Sequence, residues 1–209
     1  MRTRVKICGI TRAEDAAAAV AAGADAIGLV FHAPSARCVE VDRARAIARS
    51  VPAFVTVVGL FVDPDPAVVR EILGEVPLQL LQFHGSETPD LCREFGRPYI
   101  KALRMGADAN ISTFERRYAD AAGILLDSHD PSAPGGTGKV FDWDRVPRRT
   151  ALPMILAGGL TPDNVAVAVA AVRPYAVDVS TGVEHVRGVK DPDKIAAFMH
   201  SIQLAGSAS

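Results

Sequence analysis

Four places along this chain put reactive or anion-binding residue types where a buried strand should end. The first is VKICGIT, residues 5–11, where Cys8 closes an apolar run and Lys6 stands two residues before it. A thiol acts as base or nucleophile in its thiolate form, which a nearby cation favours. The same cysteine can equally be a small apolar filler. The second is GILLD, in which Asp127 ends an apolar run and opens SHDPSAPGGTGKVFDW. A carboxyl there can move protons, or it can cap the next turn. The third is a pair of segments, LAGGLTPDNV with Gly158 and Gly159, and DVSTGVE with Ser180, Thr181 and Gly182. Exposed backbone N–H groups at such junctions bind anions, although ordinary caps use the same residue types. His84, in QFHGSE, is the fourth, either a ligand contact or a satisfied, partly buried ring.

Positioning these groups requires a scaffold that delivers many strand ends to one place. Short β-branched runs alternate with alanine-rich segments, giving strand candidates that begin near residues 4, 26, 54, 78, 99, 122, 153 and 175. Helical segments lie between them: TRAEDAAAAVAAG, where Thr11 and Glu14 suggest a capping box, then VDRARAIARSV, DPAVVREIL, TPDLCREFG, TPDNVAVAVAAV and DPDKIAAFMHSI. Strands apolar on both faces belong to a parallel sheet covered by helices. The reading is α/β, a single (β/α)8 barrel of parallel strands over residues 1–204, with AGSAS at 205–209 a disordered tail. An open doubly wound sheet is the competitor; it would usually carry a glycine fingerprint after the first strand, and CGIT is not one.

In a barrel of this kind chemistry gathers at the C-terminal strand ends. Alternation along a strand turns Lys6 and Cys8 to the axis, and Val5 and Ile7 to the helices. The same parity points Gln82 with His84, Leu125 with Asp127, and Asp178 with Ser180 inward. Strands one and eight are neighbours in a closed barrel, so Lys6 is expected to pair with Asp178, because a buried lysine without a partner is costly. Its charge would favour the Cys8 thiolate. The alternative has Lys6 turning to a glutamate at the barrel floor or to water. The long segment after Asp127, rich in glycine and ending in FDW, reads as a lid or substrate clamp anchored by those last residues.

Composition narrows the function classes. The 209 residues suffice for one domain burying roughly 70% of its unfolded surface. Lysine and arginine total 23 against 24 acidic residues, a formal charge of −1, so no basic stripe favours nucleic acid. Cys8, Cys38 and Cys92 form no CxxC, which argues against a disulfide framework or a structural zinc site, and the five histidines show no metal spacing. No apolar run is long enough to span a membrane and no signal-peptide pattern opens the chain, so a cytoplasmic protein is expected.

The ordered segments VKICGIT, GADAIGLVF followed by PSAR, VVGLFV, QFHGSE, LLDS with GGTGKVFDW, LAGGLTPDNV and DVSTGVEHVRGVKD resemble those of the phosphoribosylanthranilate isomerases of tryptophan biosynthesis, over essentially the whole chain. Two departures are Ser35-Ala36-Arg37, where the family usually has SPR, and QFHG in place of QLHG; neither removes a functional group. The resemblance implies an Amadori rearrangement of a small phosphorylated substrate without metal, flavin or nicotinamide. It implies Cys8 as general base, Asp127 as general acid and Arg37 as the holder of the anthranilate carboxylate. The phosphate cradle would come from Gly158, Gly159, Ser180, Thr181 and Gly182. Apart from the resemblance, inward parity makes His84 and Asp178 candidates for lining the substrate. Both monomers and homodimers fit such a family. The sister isomerase of histidine biosynthesis resembles a twofold-repeated chain using two aspartates, and no half-chain repeat is evident here. A non-catalytic sensor on the same barrel would be marked by loss of the thiol or the acid, and both are present.

Overall fold

The computed structural model describes residues 2–128 and 141–207, and its strands form one closed parallel barrel in chain order. The chain runs through β1 (Arg4–Cys8), α1 (Ala13–Ala21), β2 (Ala26–Val30), α2 (Val41–Ser50), β3 (Thr56–Phe61) and α3 (Pro66–Glu75). It continues through β4 (Leu80–Phe83), α4 (Pro89–Arg93), β5 (Tyr99–Arg104), α5 (Ile111–Arg117) and β6 (Gly123–Asp127). After β6 come a short 3-10 turn (Trp143–Arg145), β7 (Met154–Leu156), α6 (Val165–Val172) and β8 (Ala176–Val179). A small antiparallel pair, β9 (Glu184–Val186) and β10 (Val189–Lys190), precedes the closing helix α7 (Pro192–Ser207).

Local chemistry explains several boundaries. Asp65 accepts from the Ala67 N–H with Pro66 opening α3, and Thr88 accepts from Leu91 N–H with Pro89 opening α4. Asn110 caps α5 in the same way, while Arg173 ends α6 in the left-handed conformation. Two expectations fail. Thr11 does not cap α1; its hydroxyl donates to the Gly188 carbonyl at 2.6 Å, and Arg12 holds the cap position without a side-chain bond. The tail does not begin at residue 205, because α7 continues to Ser207 with Ala205 packed against the core. The contact of Ala205 with the core holds this last turn, since helices in proteins are stabilised mostly by tertiary packing rather than by propensity.

Closure is made by β1 lying beside β8, with Lys6 opposite Asp178. Parity is borne out. Val5 and Ile7 join the layer between sheet and helices, which includes Ala16 and Ala19 of α1 and Phe198 of α7. Inside the barrel, Ile100, Ala102, Leu125, Ile155, Ala157 and Ala176 form one apolar cluster, and Cys8, Val30 and Leu60 form a second. Lys6, Gln82 and Asp178 are buried polar members of the same interior-facing rows. No helix is long and apolar enough to cross a membrane among the described residues.

The segment expected to act as a lid lies largely at 129–140, outside the described residues. Its anchor is described: Phe141 and Trp143 pack against the core, and Asp142 accepts from Asp144 N–H in the 3-10 turn.

Candidate active site

Cys8 ends β1 on the barrel interior and is only 5% exposed. Room for its sulfur comes from Gly28, its neighbour on β2: a Cβ there would lie 2.8 Å from Sγ and 3.0 Å from Lys6 Cε. A glycine inside a strand here marks close approach of two neighbours. Lys6 Nζ lies 2.8 Å from Asp178 Oδ2 with both side chains buried, the pairing that strand parity predicts. The other carboxylate oxygen, Asp178 Oδ1, is buried with no hydrogen-bond partner among the described residues.

Electrostatics around the thiol differ from the expectation in one respect. Burial pushes the Cys8 thiol above its ordinary value; the Lys6 ammonium opposes this by charge and hydrogen bonding, and Lys190 opposes it more weakly. Lys6 therefore acts in the direction expected but does not overcome desolvation, since a thiolate loses more hydration than one neighbouring cation returns. Burial acts to lower Lys6 itself, yet Asp178 and Cys8 outweigh it, so its ammonium is held above the usual lysine value.

Arg37, in the loop after β2, passes over the end of β1. A Cβ at Gly9, whose φ is +75°, would meet Arg37 Cδ at 2.5 Å, so this crossing needs glycine. Its Nε and Nη2 donate to the two Glu184 oxygens at 2.7 Å each, and Nη2 also reaches Thr181 Oγ1 at 3.1 Å. Nη1 donates to no protein group among the described residues and remains available to a ligand. Glu184 also accepts from the buried Lys190 at 3.0 Å, and Lys190 reaches the Ser180 carbonyl at 3.1 Å. Burial works to raise the Glu184 carboxyl, but Arg37 and Lys190 outweigh it and hold it below its ordinary value. Burial lowers Lys190 in spite of Glu184.

Across the rim, Asp127 ends β6 and His84 follows β4, with His84 Nε2 at 3.0 Å from Asp127 Oδ2. His84 Nδ1 faces Gln82 Nε2 at 3.0 Å. Gly158 and Gly159, at φ of 79° and 67°, follow β7. A Cβ at Gly158 would lie 2.3 Å from Ser128 N and 2.7 Å from Asp127 Oδ1, so any side chain would crowd the Asp127 carboxyl. Asn164 orders the end of this loop by donating to the Gly159 carbonyl at 2.9 Å and accepting from Thr161 N–H. Thr181 and Gly182 open a 3-10 turn after β8, and a Cβ at Gly182 would lie 1.9 Å from the Leu160 carbonyl oxygen. The β7 and β8 loops therefore touch backbone to backbone.

Every site residue named from the sequence thus lies at, or just inside, the C-terminal rim. An open hollow at the opposite face, lined by Arg2, Leu152, Arg173 and Tyr175 among others, includes none of them. Among the described residues no group of three His, Cys, Asp or Glu is placed to hold a metal ion. The sequence reading missed Gly28, Glu184 and Lys190 as parts of the site and assigned no role to Gln82. Parity already placed Gln82 beside His84, and Glu184 stands within DVSTGVE; Lys190 lies in a two-residue strand that has no pattern to read.

The family model for N-(5'-phosphoribosyl)anthranilate isomerase matches residues 5–201. An N-(5'-phosphoribosyl)anthranilate isomerase of Pseudomonas fluorescens is 60% identical over 205 residues, covering 98% of each chain. The crystal structure of phosphoribosyl anthranilate isomerase from Thermotoga maritima is 42% identical with a TM-score of 0.86, covering 96% of this chain and 98% of that one. A phosphoribosyl anthranilate isomerase solved with reduced 1-(o-carboxyphenylamino)-1-deoxyribulose 5-phosphate is 40% identical with a TM-score of 0.83, at the same coverage.

Proposed function

The chain belongs to the N-(5'-phosphoribosyl)anthranilate isomerase family, and from that premise we propose which of its residues carry the reaction. The reaction is the Amadori rearrangement of tryptophan biosynthesis, in which N-(5'-phosphoribosyl)anthranilate becomes 1-(2-carboxyphenylamino)-1-deoxyribulose 5-phosphate. The observation that carries the assignment is one rim holding a buried thiol on β1, a carboxyl on β6 and paired glycine loops after β7 and β8.

Asp127 is the general acid. It gives a proton to the furanose ring oxygen as the anilino nitrogen lone pair breaks the C1'–O bond, producing an iminium. That cation acidifies the C2' hydrogen, and the Cys8 thiolate removes it. The C2'–H electrons form the C1'=C2' bond and neutralise the nitrogen, and the resulting enolamine tautomerises to the ketone. Positive charge on Lys6 favours the thiolate that starts this step. Arg37, locked by Glu184, presents its remaining Nη1 to the anthranilate carboxylate. The N–H groups of Gly158 and Gly159, bonded to no protein acceptor among the described residues, hold the phosphate together with the Ser180–Gly182 loop, and Asp178 Oδ1 accepts from a sugar hydroxyl. The free thiols Cys8, Cys38 and Cys92 suit the reducing cytoplasm.

Turnover of freshly generated substrate, followed by loss of its fluorescence, tests these roles. Cys8→Ala and Asp127→Ala should each lower kcat by about 10²–10⁴-fold, the range for a lost acid or base, with affinity for a reduced product analogue kept within a few-fold. A variant with near-full turnover removes its residue from the mechanism.

A further inference from the structure

The hydrogen bonds behind Asp127 lead through an imidazole to a buried amide that the mechanism above leaves unused. Gln82 faces inward on β4 and is fully buried; its Nε2 lies 3.0 Å from His84 Nδ1, and its Oε1 has no partner among the described residues. The second ring nitrogen, Nε2, lies 3.0 Å from Asp127 Oδ2. A neutral imidazole has one donor and one acceptor nitrogen, so fixing the partner of one decides the state of the other. An amide N–H can only donate. His84 Nδ1 must then accept, and Nε2 must carry the hydrogen that it donates to Asp127 Oδ2. With Oδ2 held by that donor, the transferable proton of the carboxyl sits on Oδ1, the oxygen next to the bare α-carbon of Gly158. The reversed amide has the opposite consequence. Its oxygen would accept from Nδ1–H, leaving Nε2 to accept the carboxyl proton and draw it away from the substrate side.

We propose that Gln82 is a positioning residue for the isomerisation: its amide donates to His84 Nδ1, fixes the Nε2–H tautomer, and so keeps the transferable proton of Asp127 on Oδ1. This rests on the reading of Asp127 as the acid. The same relay explains why a ring that touches the Asp127 carboxyl is tied to a residue two positions back, on the inward face of the strand that His84 follows. His84 is held by second partners as a metal-bound histidine would be, with a carboxyl in place of the metal.

Nitrogen-15 NMR of the histidine rings reads the tautomer directly, with His84 identified by the signal that His84→Gln removes. At mildly alkaline pH the wild-type enzyme should show His84 Nδ1 as an unprotonated nitrogen and Nε2 as a protonated one. A protonated Nδ1, alone or together with Nε2, overturns the proposal. Gln82→Met removes the donor at similar volume and should lower kcat roughly tenfold, with KM within about twofold, as expected for lost orientation of an acid. Gln82→Glu offers Nδ1 an acceptor and should lower kcat further while protonating Nδ1. A folded Gln82→Met enzyme with unchanged kcat overturns the proposal; if that variant does not fold, the wild-type spectrum decides. Asp127→Asn separates the two readings. Full turnover there removes both the acid and the role given to Gln82, whereas an inactive Asp127→Asn beside a fully active Gln82→Met removes only the latter.

Discussion

A Lys6→Met substitution removes the ammonium that lies 2.8 Å from Asp178 and acts on the Cys8 thiol. Two effects should follow, and they are separable. Stranding a buried carboxylate should cost about 3–5 kcal/mol, read by denaturant unfolding near neutral pH. Because the folded pKa of Lys6 is raised, the stability its pairing supplies is present at neutral pH and lost only as pH climbs through that raised value. The deficit of the variant should therefore be constant through the neutral range and shrink only in strong alkali. The second effect is a further rise of the Cys8 pKa, since the largest opposing charge has gone. Glu184→Gln is the mirror case. The folded Glu184 carboxyl is held below its ordinary value, so its contribution is present above that value and lost as pH falls through the lowered one. The variant should be less stable by about 3 kcal/mol near neutrality, leaving Arg37 and Lys190 facing each other, and the difference should close in acid. The Lys6–Asp178 pair was legible because alternation and barrel closure alone bring the two together. The Arg37–Glu184–Lys190 cluster was not, because side chains from one loop and from the two short strands β9 and β10 meet only in three dimensions.

At the level of elements, strands were easier to read than what joins them. Eight apolar runs start within two residues of the observed strands, because burial on both faces leaves a continuous signal. Caps were read less well: the Thr11–Glu14 pattern fits a capping box, in which the hydroxyl would accept from a backbone N–H, but Thr11 instead donates to the Gly188 carbonyl, far away in sequence, and Arg12 takes the cap position. The junction of the β7 and β8 loops shows the same limit, since LAGGLTPDNV and DVSTGVE each display glycines but not that Gly182 must touch Leu160. Gly182→Ala should force these loops apart. The expected result is a rise in KM and in the inhibition constant for inorganic phosphate of roughly tenfold, with kcat less affected, by steady-state kinetics. Gly74 is the contrasting case. It lies in α3, has an ordinary helical φ, and a Cβ there would meet nothing within 4 Å. Gly74→Ala should stabilise the fold by about 0.4–1 kcal/mol, measured by chemical denaturation, with no change in turnover.

Closure of the barrel is the property of the whole molecule on which the chemistry depends, because it sets β1 beside β8 and keeps β6 on another part of the rim. One chain supplies every group assigned a role, so specific activity should stay constant when the enzyme is diluted across any monomer–dimer equilibrium seen by sedimentation. A fall in activity with dissociation would mean that a second copy completes the site. In the proposed mechanism the buried Cys8 thiolate is the base, and Lys6 sets how readily it forms. The most direct measurement compares thiolate formation, followed by ultraviolet absorbance as the difference between wild type and Cys8→Ser, with kcat/KM across the same pH range. The two curves should rise together, at a pH above that of an ordinary thiol because burial raises Cys8, and both should move upward in Lys6→Met. A kcat/KM that stays level while the Cys8 thiolate forms would contradict the account.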